Sequence, residues 1–253
     1  MAENIKARLY VESDLRVGQE ITLDRDQGHY LVNVMRARGG EYVGLFNGRD
    51  GEWLAEIVRT GKGRADLRVR ENIAPQITEP DLWYLFAPIK KARLDYMVQK
   101  ATELGVSLLR PVRTMRTNLD RLRQDKISKN AIEAAEQCER MTVPEVMPMV
   151  TLEELLDGWP EDRLIMFCDE AGAEDQNAFP VGKALDEVDA WQGRPEKWAI
   201  LIGPEGGFTE SERHLIRSRA HVVPVTLGPR ILRADTAAIV AIALWQSFRG
   251  DWQ

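Results

Sequence analysis

The pattern of hydrophobic and polar positions changes character about a third of the way along the chain. Before residue 75, apolar positions come in short runs of strand length: Ala7–Val11, Glu20–Leu23, Glu41–Phe46, Glu52–Arg59 and Asp66–Arg70. Glycine-containing turns separate several of them, at Arg38-Gly39-Gly40, Asn47–Gly51 and Gly61-Lys62-Gly63. One helix, His29–Arg36, interrupts the strands, with Tyr30, Leu31, Val34 and Met35 apolar. This predicts a small β-barrel domain over residues 1–74. Pro75 and Pro80 bracket the polar stretch Asn72–Asp81, where a domain boundary is placed.

From residue 80 to 253 strand and helix alternate. Leu82–Ala87, Ser107–Val112, Arg163–Asp169, Trp198–Ile202 and His221–Leu227 read as strands. Ala92–Leu104, Asp125–Arg140, Thr151–Asp157, Thr209–Ala220 and Ala234–Arg249 read as helices. Gly105 stops the first helix. Thr151 with Glu154, and Thr209 with Glu212, have capping-box spacing. Such alternation predicts an α/β domain with a parallel sheet covered by helices on both faces. Ala171–Gly193 is acidic and poorly patterned, and a surface loop is expected there, with a helix within it left open.

Composition narrows the class. No apolar run is long enough to span a bilayer, and the start lacks a secretory pattern, so no membrane partner and a cytoplasmic location are expected. Cys138 and Cys168 stand far apart, which argues against a disulfide framework or zinc cluster, and no metal is expected. The net charge of -6 alone argues against nucleic acid. Its distribution argues otherwise. Residues 85–130 hold 11 Lys/Arg against 4 Asp/Glu, whereas residues 131–192 hold 3 against 16. Screening over about 10 Å makes the local patch matter more than the whole-chain sum.

In parallel sheets ligands bind beyond the carboxyl ends of strands. Two such ends here have unusual chemistry. The first is Ile200–Ile202 running into Gly203-Pro204-Glu205-Gly206-Gly207 and then a helix. It matches neither a P-loop nor Gly-x-Gly-x-x-Gly. The second is Val225–Leu227 followed by Gly228-Pro229-Arg230-Ile231-Leu232-Arg233, with Asp235 or Thr236 placed to cap the next helix. Apolar side chains and backbone amides there suit a flat adenine ring, and an arginine suits a phosphate or developing anion. Taken singly, the first loop reads equally well as a tight strand–helix connection, and the second more often as plain packing than as a site.

Together the two loops resemble the S-adenosylmethionine (SAM) loops of the SPOUT methyltransferases. More narrowly, the chain resembles the 16S ribosomal RNA (uracil-N3)-methyltransferase family. Lys90–Val106 is similar to that family's first catalytic-domain helix, and Ala131–Arg140 followed by Pro144 to another signature. Arg8–Val11 and His29–Arg36 are similar to its small PUA-like domain. Two departures stand out: Asp235-Thr236-Ala237 replaces Glu-Thr-Ala, and Ile89–Ala92 replaces a Lys-Gly turn.

The resemblance implies a SPOUT-type α/β knot behind a PUA-like β-barrel, a homodimer, SAM as cofactor, and 16S rRNA or the 30S subunit as partner. It assigns Leu201, Ile202, Gly203, Pro204, Glu205, Gly206, Gly207, Leu227, Gly228, Ile231, Leu232, Arg233 and Thr236 to the cofactor. Uridine N3 carries a proton, so methylation needs a proton acceptor and stabilisation of the uracil anion. Glu205 is the candidate acceptor; Arg233 or Arg140 is the candidate for the anion. Arg8, Arg36, Lys90, Lys91, Arg93, Lys100, Arg113 and Arg116 are candidates for an RNA-facing rim. Cys138 reads as a small buried helix residue, since N3 methylation needs no cysteine adduct. The rival readings are a non-enzymatic RNA-binding or assembly factor, a ribose 2′-O-methyltransferase and an ordinary doubly wound nucleotide enzyme.

Overall fold

The computed structural model describes residues 5–61, 63–118, 122–169 and 178–252. The chain divides into two compact units. One comprises Met1–Thr78 with Ile132–Val143, the other Glu79–Ala131 with Pro144–Gln253.

In the first unit β1 (Ile5–Tyr10), β2 (Glu20–Thr22), β3 (Tyr42–Phe46), β4 (Glu52–Gly61) and β5 (Arg64–Ala74) form one sheet, ordered β1-β3-β4-β5-β2. β1 runs parallel to β3; the remaining pairs are antiparallel. Side-chain alternation gathers Leu9, Val43, Leu45, Ile57, Leu67 and Val69 in one buried cluster. β4 and β5 outrun their apolar runs because Thr60–Ala65 and Gly61–Arg64 pair through backbone alone. The helix also begins earlier than expected. α1 (Arg25–His29) is capped by Asp24, which accepts from the Gln27 N–H, and continues as a π-helical turn, Tyr30–Val34. Glycine is required at position 28, where a Cβ would lie 2.6 Å from the Gly63 carbonyl oxygen.

The capture of residues 132–143 by this unit departs from a division at residue 80 alone. Its cause is a set of bonds from β1. The Arg8 guanidinium donates to the Ala135 and Arg140 carbonyls at 3.3 Å each, and pairs with Glu52 at 2.7 Å. The Tyr10 N–H donates to Glu136 at 2.9 Å. Burial pushes the Glu136 carboxyl up to about 7, against the pull of that N–H.

In the second unit every described strand pair is parallel. The order is β11 (Phe179–Pro180), β13 (Val222–Thr226), β10 (Leu164–Cys168), β12 (Trp198–Ile202), β6 (Leu82–Phe86), β7 (Leu108–Arg113) and β8 (Glu145–Val146); β9 (Val150–Thr151) also joins β7. One face of the sheet packs Leu85, Ile165, Phe167, Ala199 and Leu201 with the apolar sides of α4 (Leu152–Asp157) and α6 (Glu210–Arg217). α2 (Lys91–Glu103) and α5 (Val181–Gln192) each pack on α7 (Ala234–Phe248), which lies against β12. α2 ends at Gly105, φ 85, where the buried Gln246 Nε2 donates to the Leu104 carbonyl at 2.7 Å. α3 (Gln124–Gln137) is shorter than expected and spans the division between the units.

α5 falls within Ala171–Gly193, where a surface loop was expected and a helix left open. Val181, Ala184, Leu185 and Val188 are buried at helical spacing, and the acidic residues between them obscured the period. Residues 171–177 lie outside those described. At the sheet's amino-terminal edge Arg163, 3% exposed, donates to the Asp81 and Trp198 carbonyls and lies 3.7 Å over the Trp83 ring. Among the described residues no helix is long and apolar enough to cross a membrane.

Candidate active site

β10, β12 and β13 are neighbours, so their carboxyl ends meet at one edge. The register aligns Cys168 with Ile202 on one side and with Val225 on the other. The chain therefore leaves β10, at Asp169, between the two Gly-Pro loops. The three ends border a solvent-open cleft.

The first loop is folded back on the core. A Cβ at Gly203 would come within 2.7 Å of the Phe208 ring, which packs edge-on against Phe167 at 5.3 Å. Gly207 adopts φ 64. Thr209 then opens α6 by the expected capping box, accepting from the Glu212 N–H while Glu212 accepts from the Thr209 N–H at 2.8 Å. The second loop is less held. Gly228 has φ 107 with nothing near a built Cβ, and Ile231 is 81% exposed. The cap of α7 is Arg233, with no side-chain bond, and not Asp235 or Thr236. The helix starts at Ala234, so Asp235 falls inside its first turn and accepts from the Thr236 N–H.

Ten of the residues assigned to the cofactor line the cleft: Ile202, Gly203, Pro204, Glu205, Gly207, Leu227, Gly228, Ile231, Leu232 and Arg233. Leu201, Gly206 and Thr236 do not. Leu201 is wholly buried, Gly206 gives its carbonyl to Arg116, and Thr236 is exposed on α7. The cleft also takes in Cys168, Asp169, Phe208, Thr226, Ala234 and Ala237, which the sequence reading did not assign. Asp169 is buried and pairs with Arg213 at 3.0 Å and Arg217 at 3.2 Å. Burial pushes the Cys168 thiol far above its usual range, so it stays protonated.

This lining fits SAM. Leu227, Ile231 and Leu232 offer apolar surface for an adenine ring. The α7 amino-terminus, without a side-chain cap, leaves backbone N–H groups for polar atoms of the ligand. Glycines at 203, 207 and 228 let the backbone come close.

The basic residues divide. Arg93 lies 3.9 Å from Glu205 and 4.0 Å from Asp235, and Arg116 donates to the Gly206 carbonyl at 2.5 Å. Both therefore reach the cleft loops. Lys90 and Arg113 are exposed in the same unit, and Lys100 pairs with Glu103 at 2.6 Å. Lys91 opens α2, but its side chain lies outside the described residues. In the first unit Arg36 is exposed. Arg8, expected at an RNA-facing rim, instead has a side chain only 10% exposed and committed to Glu52 and two carbonyls. Arg140 is buried in that unit and is not part of the cleft lining. Cys138, expected to be buried, is exposed.

A family model described as an RNA methyltransferase domain matches residues 78–246, and one described as an RNA methyltransferase PUA domain matches residues 23–70. With the parallel sheet and its paired loops, these define an enzyme of the RNA methyltransferase class, with a parallel α/β domain that follows a PUA domain along the chain. A "Ribosomal RNA small subunit methyltransferase E" of Rickettsia conorii is 33% identical over 93% of each chain. A crystal structure of the protein so named from Neisseria gonorrhoeae, bound to S-adenosyl methionine, is 30% identical with TM-score 0.85, covering 98% of this chain and 99% of that one. A putative methyltransferase from Legionella pneumophila, also with SAM bound, is 28% identical with TM-score 0.84, over 97% and 98%. The chain belongs to the ribosomal RNA small subunit methyltransferase E family.

Proposed function

We propose that this protein methylates N3 of a uridine in 16S ribosomal RNA, using SAM held in the cleft between the two Gly-Pro loops. The observation that carries this reading is the meeting of both loops at parallel strand ends on either side of β10, in a chain whose family is that of the small-subunit RNA methyltransferases. SAM, when bound, supplies a methyl group on a positively charged sulfur, electrophilic without a metal.

The remaining work falls to the chain. N3 must lose its proton before it can act as a nucleophile. Glu205, exposed at the cleft, is the proposed acceptor, the proton passing from N3 to its carboxylate. The uracil anion left behind needs a cation, and Arg233 at the second loop is the proposed one. Arg140, the other candidate, is held in the first unit. Alignment of N3 with the donor contributes several kcal/mol more, about 7–11 at best. Lys90, Arg93, Arg113 and Arg116 are proposed to meet phosphates of the RNA, with Arg36 serving the PUA domain. We further propose a homodimer, acting in the cytoplasm on 16S rRNA or the 30S subunit.

The test pairs calorimetry of SAM binding with nucleoside mass mapping of 16S RNA, free and in 30S particles. The expected result is micromolar-range binding and one new N3-methyluridine. Methyl found on a ribose hydroxyl, or no binding of SAM with the RNA supplied, would overturn the reading.

A further inference from the structure

The carboxyl end of β7 leads into a turn, Thr114–Thr117, that neither the two loops nor the family resemblance explains. β7 is parallel to β6, and β6 to β12, so this turn emerges at the same sheet edge as the cleft. It is closed on itself: the Thr114 N–H donates to Thr117 Oγ1 at 2.9 Å, and the Thr117 N–H to the Thr114 carbonyl at 3.1 Å. It is also latched at two points, one to the first loop and one to the helix that follows it. Arg116 donates to the Gly206 carbonyl, and the Met115 N–H donates to Glu212 Oε1 at 2.7 Å.

Glu212 is 4% exposed and uses its other oxygen, Oε2, in the capping box of α6. One buried carboxylate thus fixes both the start of α6, directly after the donor loop, and the turn beside it. The product of this rigid construction is an apolar side chain held in solvent: Met115 is 76% exposed, with Arg113 and Arg116 exposed on either side. A single exposed methionine is ordinary. One locked to a donor loop and flanked by two arginines has the chemistry of a nucleotide contact. The apolar face suits an unstacked base, and the cations suit the phosphates on either side of it.

We propose that Thr114–Thr117 is the nucleotide-facing wall of the active site, with Met115 against the target base and Glu212 as the positioning residue that holds this wall to the donor loop. The inference rests on the methyltransferase reading and adds to it where the RNA lies.

Methyl transfer to 30S particles by the full chain tests it, with SAM affinity and sedimentation measured alongside. Met115→Ala is expected to raise KM for the particle about tenfold, as loss of a base contact does, while leaving SAM affinity and oligomeric state unchanged. Glu212→Gln keeps a side chain that a capping box accepts, but cannot accept from both N–H groups as the carboxylate does. It is expected to lower the thermal midpoint modestly and, assayed well below that midpoint, to lower kcat by about tenfold. An unchanged KM in Met115→Ala overturns the proposal. So does a loss of SAM affinity that accounts for its whole defect, or a change in oligomeric state, which would make a second copy the occupant. Wild-type protein inactive in the same assay would instead overturn the methyltransferase reading itself.

Discussion

The two Gly-Pro loops look alike in sequence and are built in opposite ways. The loop at Gly203 is held by the protein's own contacts: Phe208 fills the space a side chain at 203 would need, Glu212 caps α6, and Arg116 holds the Gly206 carbonyl. The loop at Gly228 has open space around its glycine, an uncapped helix start and Ile231 in solvent. Similar motifs thus divide the labour. One is a preformed cradle whose defects appear in the stability of the free protein. The other leaves groups unsatisfied that a ligand can satisfy, so its defects appear in binding.

Asp169 sits between the loops but is tied to the first one's helix through Arg213 and Arg217. Asp169→Ala is therefore expected to cost the most, about 3 kcal/mol, because it removes a buried carboxylate that accepts from both guanidiniums. Denaturant unfolding reads this, and a loss under 1 kcal/mol would detach the β10 end from the cradle. Gly203→Ala follows at about 2 kcal/mol, since the Phe208 ring must move. An unchanged thermal midpoint there would mean that the cradle yields. Gly228→Ala comes next. Space is free, but a φ of 107 strains any residue with a Cβ, at about 1 kcal/mol. SAM affinity should suffer at least as much as stability, and calorimetry beside a melt separates the two.

The same division governs what the sequence made legible. Much of the local chemistry was readable: both capping boxes, the Gly105 stop of α2 and the glycine-proline ends of β12 and β13 stand where their spacing places them, whereas the starts of α1 at Asp24 and α7 at Arg233 were missed. Contacts made through strand order were not. Nothing in Met166–Glu170 marks Cys168 and Asp169 as cleft residues; they become so because β10 is inserted between β12 and β13. Arg8 reads as one more surface cation until β3 and β4 bring Glu52 to it at 2.7 Å, in room left by Gly44, where a Cβ would crowd that carboxylate at 2.8 Å. The retention of residues 132–143 by the first unit depends on the same side chain. α5 was left open for a different reason, a correct helical period diluted by charge.

Ile231→Ala is expected to have the smallest effect on folding and is the sharpest test of the difference between the loops. At 81% exposure its side chain has little apolar contact to lose in the free protein, so stability should stay within about 0.5 kcal/mol. If the second loop closes on an adenine ring, part of that side chain leaves water only in the complex. Removing its outer carbons then forfeits about 1 kcal/mol of burial, close to fivefold in SAM affinity. A lower thermal midpoint without ligand would place Ile231 in a packed loop and make the two loops equivalent. Unchanged affinity would leave Leu227 and Leu232 as the apolar walls of the cleft and make residue 231 a bystander.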